Sequence, residues 1–201
     1  FFEGTRPGCV VHDSSRLEVE EYYALAVEAV RAGKNVVRLQ PGDPSVFGTL
    51  AKQIRRFERE GIRVEVVPGV SAGLAAACAL GQDLTIPGVS EAIVFTRMEG
   101  KTPLLPHQKV RDLAAHRPTF VFYMSATLLP QLVRELETAL PRETPIVVGH
   151  KVGWPAEKIV RATLADVVDA VRAAGIFTYA VILVGDVLGP VPADLDPEAF
   201  W

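Results

Sequence analysis

Asn35-Val36-Val37-Arg38-Leu39-Gln40-Pro41-Gly42-Asp43-Pro44-Ser45-Val46-Phe47-Gly48 carries a strand-like apolar run through one tightly constrained turn. Pro41 and Pro44 fix their own φ angles, and Gly42 and Gly48 permit close backbone approach. A single acid, Asp43, stands between Gly42 and Pro44. A turn this restricted, placed after an apolar run and before a polar helix, suits a loop that holds a small molecule against its backbone. It is not Gly-x-Gly-x-x-Gly and lacks the Gly-Lys-Ser/Thr ending of a phosphate loop, which argues against dinucleotides and nucleoside triphosphates. Asp43 either accepts hydrogen bonds from a ligand amine or hydroxyl, or caps the turn and the helix behind it.

Outward from this turn, strands and helices alternate. Residues 17–32 read as a helix capped by Ser14 or Ser15 and stopped by Gly33, with Tyr22, Tyr23, Ala26, Val27 and Val30 at helical spacing. Residues 35–39 read as a strand, 49–60 as a polar helix ended by Gly61, and 62–67 as a β-branched strand. Pro68-Gly69-Val70-Ser71 forms a second tight turn, and 72–80 is Ala-rich, suited to a helix packed closely on a sheet. Punctuation by Gly81, Pro87 and Gly88 marks a division after Val89. Beyond it the sequence predicts strands over 92–96, 119–124, 145–149 and 179–184, and helices over 108–115, 126–140 and 164–174. The Pro- and Asp-rich tail, 189–201, reads as irregular. The expected fold class is α/β, as two tandem α/β domains over 1–89 and 90–188, with a site in the cleft between them.

Composition narrows the function classes. A net charge of -3 leaves no bulk attraction for nucleic acid or an anionic membrane, so any basic site must be local. Two cysteines, Cys9 and Cys78, are too few for a disulfide scaffold, and a reducing cytoplasm is the simple reading. His12, His107, His116 and His150 have no ligand spacing, so no metal site is expected. No apolar run reaches the ~20 residues needed to span a bilayer. Phe1-Phe2-Glu3-Gly4 lacks the basic start and apolar stretch of a signal peptide. No nucleophile elbow or paired-carboxylate signature is present, which disfavours hydrolysis.

Four further segments follow expected strands, where open α/β sheets place ligands. In Val67-Pro68-Gly69-Val70-Ser71-Ala72, Gly69 allows backbone approach, and Ser71 either caps the next helix or bonds a ligand. In Thr96-Arg97-Met98-Glu99-Gly100-Lys101, Arg97 and Lys101 can grip carboxylates, although a solvated charged loop has the same composition. In Phe122-Tyr123-Met124-Ser125-Ala126, Met124 suits a flat apolar group or fills the core. In His150-Lys151-Val152-Gly153-Trp154-Pro155, Trp154 either meets a planar partner or packs between domains.

These segments, in this order, resemble the tetrapyrrole methyltransferase family. The carrying motifs are Gly42-Asp43-Pro44-Ser45-Val46-Phe47-Gly48 and Val66-Val67-Pro68-Gly69-Val70-Ser71-Ala72. The resemblance extends to about Leu188. Three stretches are similar to members acting on C11 of a corrin precursor, precorrin-4 or its cobalt form, in cobalamin biosynthesis. They are Leu84-Thr85-Ile86-Pro87-Gly88-Val89-Ser90, Ile93-Val94-Phe95-Thr96-Arg97-Met98-Glu99-Gly100-Lys101-Thr102-Pro103 and Gly153-Trp154-Pro155-Ala156-Glu157-Lys158-Ile159-Val160-Arg161. The resemblance implies an S-adenosyl-L-methionine-dependent C-methyltransferase, with S-adenosyl-L-homocysteine as product. It also implies a cofactor cleft between two α/β domains and a homodimer.

Carried over by position, the resemblance gives cofactor contacts at Pro41, Gly42, Asp43, Val46, Ser71, Ala72, Met124, Val152 and Ala180. Arg97, Lys101 and Lys151 become candidates for the substrate carboxylates. Uroporphyrinogen III, another precorrin, ribosomal RNA or diphthine stay open as substrates, as does cofactor binding without turnover. Family members begin with a strand and a Gly-x-Gly-Pro-Gly-Asp-Pro-type loop that this sequence lacks. The expectation is that this segment lies outside the 201 residues, rather than that the protein is impaired.

Overall fold

The computed structural model describes residues 5–190. By packing, the chain forms two units, one ending at Gly69 and one beginning at Val70. The sequence places the division later, after Val89. The irregular tail expected from Gly189 lies outside the described residues from 191 onward.

In the first unit, α1 (Val19–Arg31) and α2 (Leu50–Arg59) pack together. The cap of α1 is Glu18, in a capping box with Glu21, because Ser14 and Ser15 are drawn into a short 3-10 turn held by Asp13. Tyr23 and Phe57 meet with ring centroids 4.8 Å apart, and the Arg56 guanidinium stacks 3.9 Å over Tyr23 while pairing with Glu20. These polar ties are exposed and add little stability, so the aromatic contact carries this interface.

The strands expected over 35–39 and 62–67 are not formed among the described residues. Neither stretch joins a ladder. Val37 is 80% exposed and Val67 74%. A strand exists only where a neighbour about 4.8 Å away pairs its backbone, and apolar β-branched composition does not supply one.

The 41–48 turn is nevertheless tightly held. Gln53, the one buried residue of α2, donates its amide to the Gly48 carbonyl at 2.7 Å and accepts from the Gln40 amide at 3.0 Å. Phe47 and Thr49 take left-handed backbone conformations that cost non-glycine residues energy. Asp43 is the central clasp. Its Oδ1 accepts from the Ser45 backbone at 2.8 Å and from the Ser45 hydroxyl, and its Oδ2 accepts the Gly69 N–H at 2.9 Å. One carboxylate therefore joins the first turn to the second. The backbones lie so close that a Cβ on Gly69 would fall 2.1 Å from the Gly42 carbonyl oxygen.

The second unit confirms the α/β expectation. Its sheet has strands β1 (Ile93–Arg97), β2 (Thr119–Tyr123), β3 (Pro145–His150), β4 (Lys158–Thr163) and β5 (Ala180–Val184) in the order β1-β2-β5-β3-β4. Only β1 and β2 run parallel, and the other pairs are antiparallel. The period of two sorts side chains between two cores. Phe120, Phe122, Ile146, Val148, Ile182 and Val184 join one core together with residues of α4 (Val110–Ala114), α5 (Leu129–Leu136) and α6 (Val167–Ala173). Val121, Val147, Val181 and Leu183 face the other way, with Ala76 and Ala77 of α3 (Ala72–Leu80).

The small residues of α3 let it lie close on the sheet. A Cβ on Gly73 would sit 2.4 Å from Val121 Cγ1 and 2.8 Å from the Tyr123 hydroxyl. The helix expected over 126–140 is shorter, a 3-10 turn leading into α5 with a proline in its first turn. Strand β4 escapes the sequence pattern because Lys158 and Arg161 interrupt its apolar residues on an edge strand.

Two outcomes follow from these packings. Gly73→Val overpacks the α3–sheet contact and is expected to cost about 1–3 kcal/mol, read as a lower urea midpoint. An unchanged midpoint would mean the helix can lift at no cost. The Asp43 carboxyl is held below its ordinary value of 3.8, chiefly by the Ser45 hydroxyl and then by the Gly69 and Ser45 N–H groups. A depressed folded-state pKa gives stability that is present above 3.8 and lost as pH falls through the folded value. The stability gap between wild type and Asp43→Ala should therefore be full at neutral pH and shrink below pH 3.8. A gap constant with pH would contradict the clasp.

Candidate functional site

The candidate residues fall into two groups, one in each unit. In the first unit, Pro41, Gly42, Asp43 and Val46 form one turn, closed by the Val46 N–H bonding the Asp43 carbonyl at 3.2 Å. Gly42 has φ +71°, and its carbonyl touches the Gly69 backbone with no side chain between them. The turn-forming role of Asp43 is thus present in the geometry, and both its oxygens are engaged by the protein's own donors. Gln53 is a member that sequence reasoning missed. A polar residue on a polar helix carries no signal until its burial is known.

In the second unit, strand directions gather the remaining candidates. The carboxyl ends of β1, β2 and β3 and the amino end of β5 all lie along one edge of the sheet, because β5 runs antiparallel to both its neighbours. That edge carries Arg97 and Lys101, then Met124, then Lys151 and Val152, with Ala180 opposite His150.

Met124 is 65% exposed with φ +53°, so it is a presented side chain and not core filling. Lys151 also has positive φ. Its N–H bonds the Tyr179 carbonyl at 3.0 Å, and its ammonium stands 5.9 Å from the Tyr179 ring centroid. Val152 packs into the α3-side core, and His150 Nδ1 lies 2.9 Å from the Thr178 carbonyl. Trp154 is half exposed in the turn after β3, where the Gly153 N–H donates to Glu157 at 2.7 Å.

Two side chains behave differently from the simplest sequence reading. Ser71 begins α3 but makes no side-chain cap. It is buried, and its hydroxyl bonds the Tyr123 hydroxyl instead. Arg97 turns its guanidinium onto the carbonyls of Met98 (3.1 Å), Thr102 (3.0 Å) and Pro103 (3.4 Å). It shapes the loop after β1, while Lys101 stands exposed on that loop.

Ser125 was also missed. It is fully buried, donating to the Tyr123 carbonyl at 2.7 Å and accepting the Met98 N–H at 2.8 Å. A serine behind a strand end looks like any turn residue in sequence, so only the fold reveals it. Among the described residues no group of three His, Cys, Asp or Glu could hold a metal ion. The same residues include no helix long and apolar enough to cross a membrane. An open cavity of about 700 Å³, lined by Ser90, Glu91, His116, Arg117 and Asp186, lies at the opposite sheet edge and includes none of the candidates.

Comparison with known proteins fits this arrangement. Residues 5–168 match the model of the tetrapyrrole (corrin/porphyrin) methylases. The cobalt-precorrin-4 C(11)-methyltransferase of Methanocaldococcus jannaschii is 40% identical over 189 residues, covering 94% of this chain and 73% of that protein. An X-ray structure of a cobalt precorrin-4 methyltransferase superposes with a TM-score of 0.89 at 39% identity, over 92% of this chain and 78% of the other. A uroporphyrin-III C-methyltransferase from Thermus thermophilus, solved with S-adenosylhomocysteine, gives a TM-score of 0.68 at 29% identity, over 85% of this chain and 74% of the other. With the family model spanning both turns of the first unit and all strand ends but that of β5, the chain belongs to the tetrapyrrole (corrin/porphyrin) methylase family.

Proposed function

We propose that this protein transfers a methyl group from S-adenosyl-L-methionine to C11 of precorrin-4 or cobalt-precorrin-4 in cobalamin biosynthesis. The observation that carries this reading is the 40% identity over 94% of the chain to a protein of that activity. The residues present fit the cofactor. The Gly69 backbone packs so closely on the Gly42 carbonyl that a Cβ would fall 2.1 Å from it, so the two turns meet through backbone and not through side chains. Met124 offers an exposed thioether on the sheet edge, suited to a purine face.

Under this reading, Pro41, Gly42 and Asp43 hold the methionine part, with Val46 beside them. Ser71 and Ala72 touch the cofactor from the start of α3, Met124 packs on the adenine, and the backbones of Val152 and Ala180 lie near the base. When bound, S-adenosyl-L-methionine supplies an electrophilic methyl on a sulfonium already primed to leave. An enamine-like ring carbon is itself nucleophilic, so the protein's residues position, set the local charge and exclude water, and no base is required. Lys101 and Lys151 meet the acetate and propionate groups of the substrate, as local positive charge on an acidic chain. Arg97 contributes by fixing the loop that carries Lys101. The domain division at 1–89 and 90–188, a homodimer and a cytoplasmic location belong to the same reading and rest on the family resemblance and on cysteine usage.

Methyl transfer tests the proposal directly. Methyl-labelled S-adenosyl-L-methionine, supplied with precorrin-4 or its cobalt form, should place the label on C11. Labelling of uroporphyrinogen III or another precorrin instead would transfer the protein to a different family activity. Cofactor binding with no turnover on any tetrapyrrole would leave a binding protein.

Two further outcomes belong to this site. Asp43→Ala should weaken S-adenosylhomocysteine binding by roughly tenfold in calorimetry, the equivalent of one charge-assisted hydrogen bond. Unchanged affinity would leave Asp43 a turn former alone. Lys101→Ala and Lys151→Ala should each raise the tetrapyrrole KM by roughly threefold to tenfold, more strongly at low salt, with the cofactor KM held. A matching rise in the cofactor KM would remove them from the substrate side.

A further inference from the structure

One connected run of hydrogen bonds crosses the functional edge of the second unit. The Ser71 hydroxyl at the start of α3 bonds the Tyr123 hydroxyl. Through its own backbone, Tyr123 presents its carbonyl to Ser125 Oγ at 2.7 Å. Ser125 Oγ takes the Met98 N–H at 2.8 Å, and the Arg97 guanidinium binds the carbonyls of Met98, Thr102 and Pro103. The run thus links the first residues of α3, the end of β2 and the loop carrying Lys101. Its middle residues, Tyr123 and Ser125, stand on either side of Met124 in the chain.

We propose that Tyr123 is a positioning residue for the methyl transfer. Its hydroxyl sets the start of α3 toward the cofactor, and its carbonyl, through Ser125, sets the loop after β1 toward the tetrapyrrole. The inference rests on the methyltransferase reading of the same site. Three observations carry it. Ser71 and Ser125 are both buried, and a buried hydroxyl is held where its partners put it. The Tyr123 ring is wedged edge-on against Phe95 at 6.1 Å, and its hydroxyl sits beneath Gly73, where a Cβ would approach to 2.8 Å. The Ser71 hydroxyl is not spent on capping the helix, which is what a serine at that position ordinarily does.

The two ends of Tyr123 therefore act on different ligands, and the variants separate them. Tyr123→Phe removes only the hydroxyl. It should weaken S-adenosylhomocysteine binding by roughly fivefold, the effect of one neutral hydrogen bond, with the tetrapyrrole KM little moved. Because Tyr123 acts on the cofactor through Ser71, the double variant Ser71→Ala/Tyr123→Phe should bind it no more weakly than Ser71→Ala alone. Ser125→Ala should instead raise the tetrapyrrole KM and leave cofactor affinity close to wild type.

Calorimetry with S-adenosylhomocysteine and urea midpoints accompany the kinetics. Additive losses in the double variant, or wild-type affinity in Tyr123→Phe, would overturn the proposal. So would a Tyr123→Phe midpoint loss with no change in affinity, which marks a merely structural hydroxyl. If wild type binds S-adenosylhomocysteine but methylates no tetrapyrrole, the functional reading fails by itself, and the calorimetric cycle still decides the role of Tyr123.

Discussion

The first unit depends on one carboxylate that faces inward on its own chain. Asp43 holds Ser45 with one oxygen and Gly69 with the other, so two turns distant in sequence share one charge. Neither turn joins a ladder, and Val36, Val37 and Leu39 before the first and Val66 and Val67 before the second are exposed. What fixes the turns is therefore not sheet pairing but proline-limited φ angles, the Asp43 clasp and the Gln53 amide beneath the first turn. The close approach of Gly42 to Gly69 accompanies that clasp. A side chain at Gly69 would clash with the Gly42 carbonyl and force the clasp apart.

In the second unit the ordering principle is strand direction. Inserting β5 antiparallel between β2 and β3 puts the ends of β1, β2 and β3 along a single edge with the starts of β5 and β4. Sorting of alternate side chains into two cores leaves that edge to loops, where left-handed residues present Met124, Lys151 and Tyr179 outward. Such conformations are costly for non-glycine residues and persist where the surroundings overdetermine them. Met124 stands between Tyr123 and Ser125, whose hydroxyls meet the Ser71 hydroxyl and the Met98 N–H.

Much of this was legible in the sequence. Alternating apolar runs and glycine stops predicted α1, α2, α3 and four of the five strands of the second unit to within a few residues. The two proline-glycine turns marked the candidate site because their restrictions are local. The failures were all tertiary. Residues 35–39 and 62–67 have strand composition without a pairing partner among the described residues. Strand β4 pairs at an edge where charge interrupts its pattern. Ser71 looked like a helix cap and proved to be Tyr123's partner, while Gln53, Ser125 and the inward turn of Arg97 are decided by burial that no local pattern encodes.

The most direct measurement is a crystal structure of this chain grown with S-adenosylhomocysteine. The account predicts the ligand lying against the backbone of Gly42 and Asp43, with the Asp43 carboxylate still holding the Gly69 N–H. A ligand bound away from this turn, or one that displaces Gly69 from Asp43, would contradict it.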